Sequence, residues 1–597
     1  MSRIKNFINN MVYNLRETAG RFPLTIVFLA SLSGVMFLMI EDYSGLDIDL
    51  LSRYMFAGIF GAFLATAVRF MLERFENIKN SLIFYGLTIL LTAGYFYFMT
   101  DDIVNSKMVI HLLVISFALF AGYLYLPSYK NAMNFGNVAL AHFKSAFTSI
   151  LYGIVLYLGI AAIIGAIDIL LYDVDYKSYA HAANIIFIFF TPMYYLSLLP
   201  KFNSRDETDD AKKEISFLYP KFLDILVSYI TIPLISAFTA VLIIYFIKIL
   251  VTGVWPVGQV GPMVLGYSAV GYFIYILSSN LNNKFAVIYR KVFPIILIPL
   301  VVMQLVSSYI RIDAYGITES RYYVVLFGIF SIVCALLLIF GKKKNPNTIV
   351  LLSAIFALLS IIPPVDAFTV SKNSQAKRLT EILNRNSMLV DGEIVKKTNL
   401  STDDMFEITN ISNYMYEMGY LDDMEWFPEQ YADNYYGNFK NIYGFDQYYD
   451  RGFPGQDERL YFNAMLDENE KVNIENYDIF FKMTIHNKKE PDEVTGEFSL
   501  KDKNYVVKQI VDEEGYITIT ISDPTNILME IPMKEFIDGL FEKSNASKGT
   551  MDKESLTIER QNDKLKVKFL VNDINVDRYN PDDIYIYANI YVFVAAP

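Results

Sequence analysis

Eleven apolar runs occupy positions 22–40, 54–68, 81–99, 108–126, 146–171, 182–199, 222–250, 261–279, 292–308, 322–340 and 348–362 of this 597-residue chain. Nothing else in the sequence limits the fold as strongly. Roughly 20 apolar residues, rising 1.5 Å each, cover about 30 Å of hydrocarbon as a helix, and lipid offers a backbone no hydrogen-bond partner. The expected fold of this half is an α-helical polytopic membrane bundle of about 11 spans. The last run is short and is stopped by Pro363 and Pro364, so its crossing is the open point of the count.

Charge divides the chain at the end of these runs. Residues 1–365 carry 26 Lys and Arg against 20 Asp and Glu, whereas 366–597 carry 25 against 43. The expected organisation is an amphipathic cytoplasmic segment at 1–21, a membrane domain at 22–365, a helical and aromatic segment at 366–457 and a mainly β domain at 458–597. An acidic surface without a basic tract argues against nucleic acid as a partner. Cys334 is the only cysteine and lies inside an apolar run, so a disulfide framework and a thiolate metal site are both ruled out.

Residues 1–21 place Ile4, Phe7, Ile8, Met11, Val12 and Leu15 at helical spacing among basic and amide residues, a pattern suited to the membrane interface. The first run has charges on both sides and no small-residue cleavage signal, so it reads as a retained span. With the N-terminus inside, the inner loops hold 20 Lys and Arg and the outer loops six. The positive-inside rule then gives a multi-pass plasma-membrane protein with a cytoplasmic N-terminus and its C-terminal domain outside.

Polar groups inside the runs are sparse: His111, Gln304, Asp168 near an outer end and Asp224 near an inner one. A proton- or ion-coupled carrier is expected to put acidic groups near mid-membrane, which weakens a transport reading. Pro192, Pro233, Pro294 and Pro299 bend or loosen helices, as transporters and ordinary bundles both allow.

The densest charge at a membrane boundary is residues 311–323, R-I-D-A-Y-G-I-T-E-S-R-Y-Y. Arg311, Asp313, Glu319 and Arg321 flank a helix break at Tyr315 and Gly316, where Thr318 and Ser320 can satisfy freed backbone groups, and Glu319 and Arg321 begin the next helix. Two readings follow: an ion-pair brace between helix ends, or a pocket whose guanidinium groups grip a phosphate or carboxylate. Secondary outer-face candidates are Trp255 in a Gly- and Pro-rich loop, Asp168, Glu41 and Asp42. Glu41 and Asp42 are the residues that a membrane transferase using a lipid-linked donor would need as base and metal ligand, but their loop is only about a dozen residues.

Together with V-W-P-V-G-Q-V-G-P-M-V-L-G-Y-S-A-V-G-Y upstream and L-T-E-I-L-N-R-N-S-M-L-V-D-G at 379–392, the motif resembles a bacterial polytopic membrane family catalogued as domain of unknown function 4153. The resemblance implies a multi-span envelope protein with no established active site. It supplies no catalytic residue.

Beyond 366 the pattern changes. Leu379, Ile382 and Leu383 are helically spaced, a second helix starts after Ser401 or Thr402 as N-cap, and from Arg459 onward the chain alternates in period two. These signals predict an extracytoplasmic α+β domain with an antiparallel sheet and one short helix at 533–542. One histidine, His486, cannot build a triad or a histidine-rich metal site. The run D-I-N-V-D-R-Y-N-P-D-D at 573–583 resembles a calcium loop, but Arg578 stands where the turn requires Gly. No cofactor or metal is expected. The partners expected are the lipid bilayer and an envelope protein or glycan at the exported Tyr-rich surface, and the protein reads as non-enzymatic.

The orientation is directly testable. In a Cys334→Ser background, a Ser547→Cys variant is expected to react with a membrane-impermeant maleimide on intact cells, whereas Lys343→Cys is expected to react only after permeabilisation.

Overall fold

The computed structural model describes residues 13–41, 47–75, 78, 80–99, 106–203, 207–253, 255, 260–341, 345–449, 460–466, 470–487, 493–512, 515–543, 549–580 and 583–596. The chain divides into two compact units, Met1–Gln375 and Ala376–Pro597. Residues 1–12 of the amphipathic segment lie outside the described residues, as does Asp42.

Ten helices of the first unit are long and apolar enough to cross a membrane. They are α1 (Pro23–Glu41), α2 (Ile48–Arg74), α3 (Ser81–Phe98), α4 (Lys107–Lys130), α5 (Phe135–Leu170), α6 (Lys177–Leu198), α7 (Asp209–Thr252, broken at residues 218–220), α8 (Val260–Asn280), α9 (Lys284–Tyr315) and α10 (Glu319–Phe340). Asn134 starts α5 by accepting from the Gly136 amide at 2.8 Å, so that helix begins well before the apolar run that announced it. Two helices contain a π turn, Asn184–Phe190 in α6 and Leu226–Thr231 in α7. Each stands just before a proline, Pro192 or Pro233, whose ring nitrogen has no hydrogen to give the carbonyl one turn back. Pro294 and Pro299, by contrast, lie inside the continuous helix α9.

The eleventh apolar run forms only a 13-residue helix, α11 (Asn347–Leu359). Its continuation nevertheless returns to the start of α10, where the Tyr322 hydroxyl donates to the Val365 carbonyl at 2.5 Å. From Ser360 to Asp366 the chain then runs through turns and bends.

Packing in the bundle centres on Tyr272, Phe293, Leu297, Phe330 and Cys334. Gly271 permits it: a Cβ there would come within 2.2 Å of the Phe293 ring.

Helix α12 (Ala367–Arg385) runs through the division between the units. The second unit continues with the hairpin β1 (Leu389–Val390) and β2 (Glu393–Ile394), helix α13 (Thr402–Glu417) and helix α14 (Tyr435–Tyr443). Ser401 is the cap of α13, accepting from the Asp404 amide at 3.1 Å.

Two sheets follow and share one core. The strands β5 (Glu493–Leu500), β6 (Lys503–Val511), β7 (Ile517–Ser522) and β8 (Ile527–Pro532) pair in sequence order. The larger sheet has the order β4 (Ile479–His486), β12 (Asp583–Ala595), β11 (Lys566–Asn580), β3 (Leu460–Leu466) and β9 (Gly549–Met551), with β10 (Thr557–Gln561) also on β11. Its pairs are antiparallel except β3 with β9, which is parallel. On β12, Ile584, Ile586, Ala588, Ile590 and Val592 face the core, so Tyr585, Tyr587 and Tyr591 fall on the opposite face. Helix α15 (Lys534–Lys543) contributes Ile537 and Leu540 to this core. Of the stretch that resembles a calcium loop, residues 573–580 are part of strand β11, where Asp573 accepts from the Asn589 amide, and residues 581–582 lie outside the described residues.

Arg385 forms an ion pair with Asp404, and Asn386 donates to the same carboxylate at 3.0 Å. Burial works to raise the Asp404 pKa, but hydrogen bonds from Arg385, Asn386 and Ser401 outweigh it and hold the carboxyl below its ordinary value. A depressed carboxylate stabilises the fold above its unfolded pKa, and that contribution is lost as pH falls through the folded one. The thermal midpoint of the second unit is therefore expected to fall below about pH 4, with a shallower decline in Asp404→Asn, measured by circular dichroism.

Candidate functional site

Helix α9 ends because Tyr315 is followed by Gly316 at φ +70°, a conformation that a side chain would strain. The Gly316 amide still reaches the Ile312 carbonyl at 2.8 Å, after which the chain turns through Ile317 and Thr318 into α10. This break leaves carbonyls at a helix C-terminus without partners. Arg321 supplies one set of donors, bonding to the Tyr315 and Gly316 carbonyls at 3.1 and 2.7 Å while its guanidinium lies 5.6 Å from the Tyr315 ring centre. A cation here also opposes the negative end of the helix dipole.

The start of α12 supplies the rest. Gln375 donates to the Tyr315 and Ile317 carbonyls at 3.0 and 2.9 Å, and the Ser374 hydroxyl accepts from the Ile317 amide at 2.9 Å. Thr318 and Ser320 hydroxyls pair with each other at 3.2 Å. Glu319 is buried in the first turn of α10, and Asp313 is exposed.

Arg311 has a different setting. It lines a cavity of about 140 Å³ with Ser307, Ser308, Ser320 and Arg321, closed on another side by Gly261 and Pro262 at the start of α8. Its Nε is buried and has no hydrogen-bond partner among the described residues. Ser307 and Ser308 are also buried. The cavity thus gathers a guanidinium edge and hydroxyls, the donor set that suits a phosphate or carboxylate.

The secondary candidates do not join this cavity. Glu41 closes α1 against α6: its carboxylate meets His181 Nε2 at 2.7 Å, and Lys177 donates to its carbonyl at 2.8 Å. Asp168 accepts from the Val174 amide at 2.8 Å and so holds the turn after α5. Trp255 packs half-buried against the bundle core. Among the described residues no group of three or more His, Cys, Asp or Glu converges as a metal ion would require.

Residues that charge counting overlooked take part here. Ser307 and Ser308 carry no charge and lie in an apolar run, yet they stand one helical turn before Arg311 on the same face. Ser374 and Gln375 lie far along the chain, and no local signal links them to the motif.

Ten long apolar helices, a shorter eleventh one and a following α+β unit define a multi-pass membrane protein. The chain belongs to the family described as Domain of unknown function (DUF4153), which matches residues 26–403, more than half of its length. It is 23% identical over 399 residues to an uncharacterized protein of Pasteurella multocida (strain Pm70), a match covering 66% of this chain and 64% of that relative. The chain therefore spans less than two thirds of that relative's length. No solved structure matches it.

Replacing Gln375 by Leu removes two donors from carbonyls at the helix break. The expected result is a loss of about 1–3 kcal/mol, read as a lower thermal midpoint of the purified protein in detergent. Gln375→Asn is expected to be intermediate.

Proposed function

We propose that this is a bacterial envelope protein without catalysis of its own, whose bundle carries an extracytoplasmic ligand- or partner-binding unit and binds an anionic group at the Arg311 cavity. The observation that carries the reading is Arg311 Nε, buried and unpartnered beside buried serine hydroxyls. A guanidinium nitrogen withdrawn from water without a partner is costly, and a phosphate or carboxylate oxygen would complete it. The motif then divides its labour. Arg321 with Gln375 and Ser374 braces the helix break, and Arg311 makes the anion contact. The charge asymmetry of the loops supports an outer position for this cavity.

The Tyr585, Tyr587 and Tyr591 face of the larger sheet supports an envelope protein or a glycan as partner, because half-buried rings beside Asp573 and Asn589 combine a stacking surface with polar groups. A transporter reading draws on the two π turns, since such turns recur at functional sites. Glu41, Asp168 and Asp224, however, stand near helix ends rather than midway along the spans.

Thermal midpoints of the purified protein, titrated with inorganic phosphate and with phosphatidylglycerol in mixed micelles, test the anion site. Protection by phosphate alone marks a free anion, and protection only by the lipid marks a headgroup. Arg311→Gln is expected to keep normal protein level and lose about tenfold or more in apparent affinity. Arg321→Gln is expected to lower protein level. Equal protection of wild type and Arg311→Gln overturns the proposal.

A further inference from the structure

A second cavity in the first unit lies among α2, α4, α5, α6, α8, α10 and α11, with a volume of about 730 Å³. That is within the range of about 300–1,000 Å³ usual for small-molecule sites. No Asp, Glu, Lys or Arg lines it; aromatic and aliphatic side chains make most of the wall. Burial changes from one side to the other. Phe117, Ile150 and Phe273 are each about half exposed, whereas His142, Ser149 and Tyr272 are 4% exposed or less. The cavity therefore opens sideways, toward hydrocarbon in a membrane, and has a closed inner wall.

That inner wall holds polar atoms without partners. His142 Nδ1 is 2.6 Å from the Tyr195 hydroxyl, which fixes the imidazole, but the buried Nε2 on the other edge has no partner among the described residues. In either tautomer Nε2 is a donor or an acceptor, and leaving it unmade in an apolar setting costs free energy. Thr191, also on the wall and next to the π turn of α6, has a buried hydroxyl in the same condition.

We propose that this cavity binds one uncharged lipid, a long hydrocarbon chain whose head carries a hydroxyl or carbonyl oxygen bonded to His142 Nε2. The wall excludes a charged head because no counter-charge lines it, and burying an unpaired ion is far more costly than burying a hydroxyl. The apolar volume takes the chain, which enters from the bilayer past Phe117, Ile150 and Phe273. An acyl or an isoprenoid alcohol has the required chemistry.

The test uses the full-length protein, delipidated in detergent, with oleyl alcohol, farnesol, oleate and an oxygen-free hydrocarbon of similar length as probes, read by native mass spectrometry. The alcohols are expected to bind about tenfold more tightly than the hydrocarbon, the equivalent of one neutral hydrogen bond, and more tightly than oleate. Preference for farnesol or for oleyl alcohol supports the site and names the chain type. His142→Leu is expected to erase the difference between alcohol and hydrocarbon. Ala269→Phe, at an exposed position on the rim, is expected to abolish uptake of both, and it remains informative if the His142 variant does not fold. Equal binding of alcohol and hydrocarbon by the wild type, binding of oleate as tight as that of the alcohols, or unchanged binding by Ala269→Phe overturns the proposal.

Discussion

A helix that ends near hydrocarbon leaves carbonyls without partners, and in this protein basic side chains answer for most of those ends. Arg21 donates to the Leu199 and Pro200 carbonyls after α6, Arg53 to Phe96 in α3, and Lys177 to Glu41 at the end of α1. Lys144 reaches the Ile215, Ser216 and Leu218 carbonyls, Arg290 those of Ser278 and Leu281, and Arg321 those of Tyr315 and Gly316. Each bond satisfies a carbonyl that the helix leaves open and sets a positive charge at the negative end of a helix dipole. Most tie one helix to the end of another, so the same contacts that satisfy the backbone also fix how the bundle is assembled. Arg21 adds a bidentate pair with Glu73, at 2.8 Å to both oxygens, and so holds three chain segments at once.

How much of this was legible depended on whether the signal was local. Apolar run length gave the spans, because a helix must bury a continuous stretch in lipid, and period-two alternation gave strands such as β7 and β12. The Ser401 cap and the helix near 533–542 were legible for the same reason. The same basic residues were read in the sequence as markers of orientation, and their capping role was invisible: Arg21 and Leu199 are separated by 178 positions. Length alone also did not fix how the eleventh run folds, since only Asn347–Leu359 is helical and the chain beyond it comes back to the start of α10 at Val365.

The two sites show the same limit. Charge density pointed to Arg311 and Arg321 but left them with one role. Three-dimensional placement separates them, because Arg321 turns back onto α9 while Arg311 meets serines on its own helix and the start of α8. His142 fell outside the apolar run at 146–171, although Asn134 marks an earlier helix start, and with Val138, Ser145 and Ser149 it falls on one buried face of α5. An imidazole among apolar neighbours draws little notice until its second nitrogen is seen to lack a partner.

The order of strands in the larger sheet bears on how the second unit comes into being. Strand β12 lies between β4 and β11, and β11 in turn holds β3 and β10, so the middle of the sheet is supplied by segments later in the chain than every strand they organise. β3 meets β11 across more than a hundred residues, a separation that delays pairing because loop closure must precede any gain from contact. During synthesis, β3 and β4 therefore emerge without the partners that bury them. Whatever machinery handles the nascent chain meets this unit as an open polypeptide until β11 and β12 arrive, and the sheet then closes in one late step.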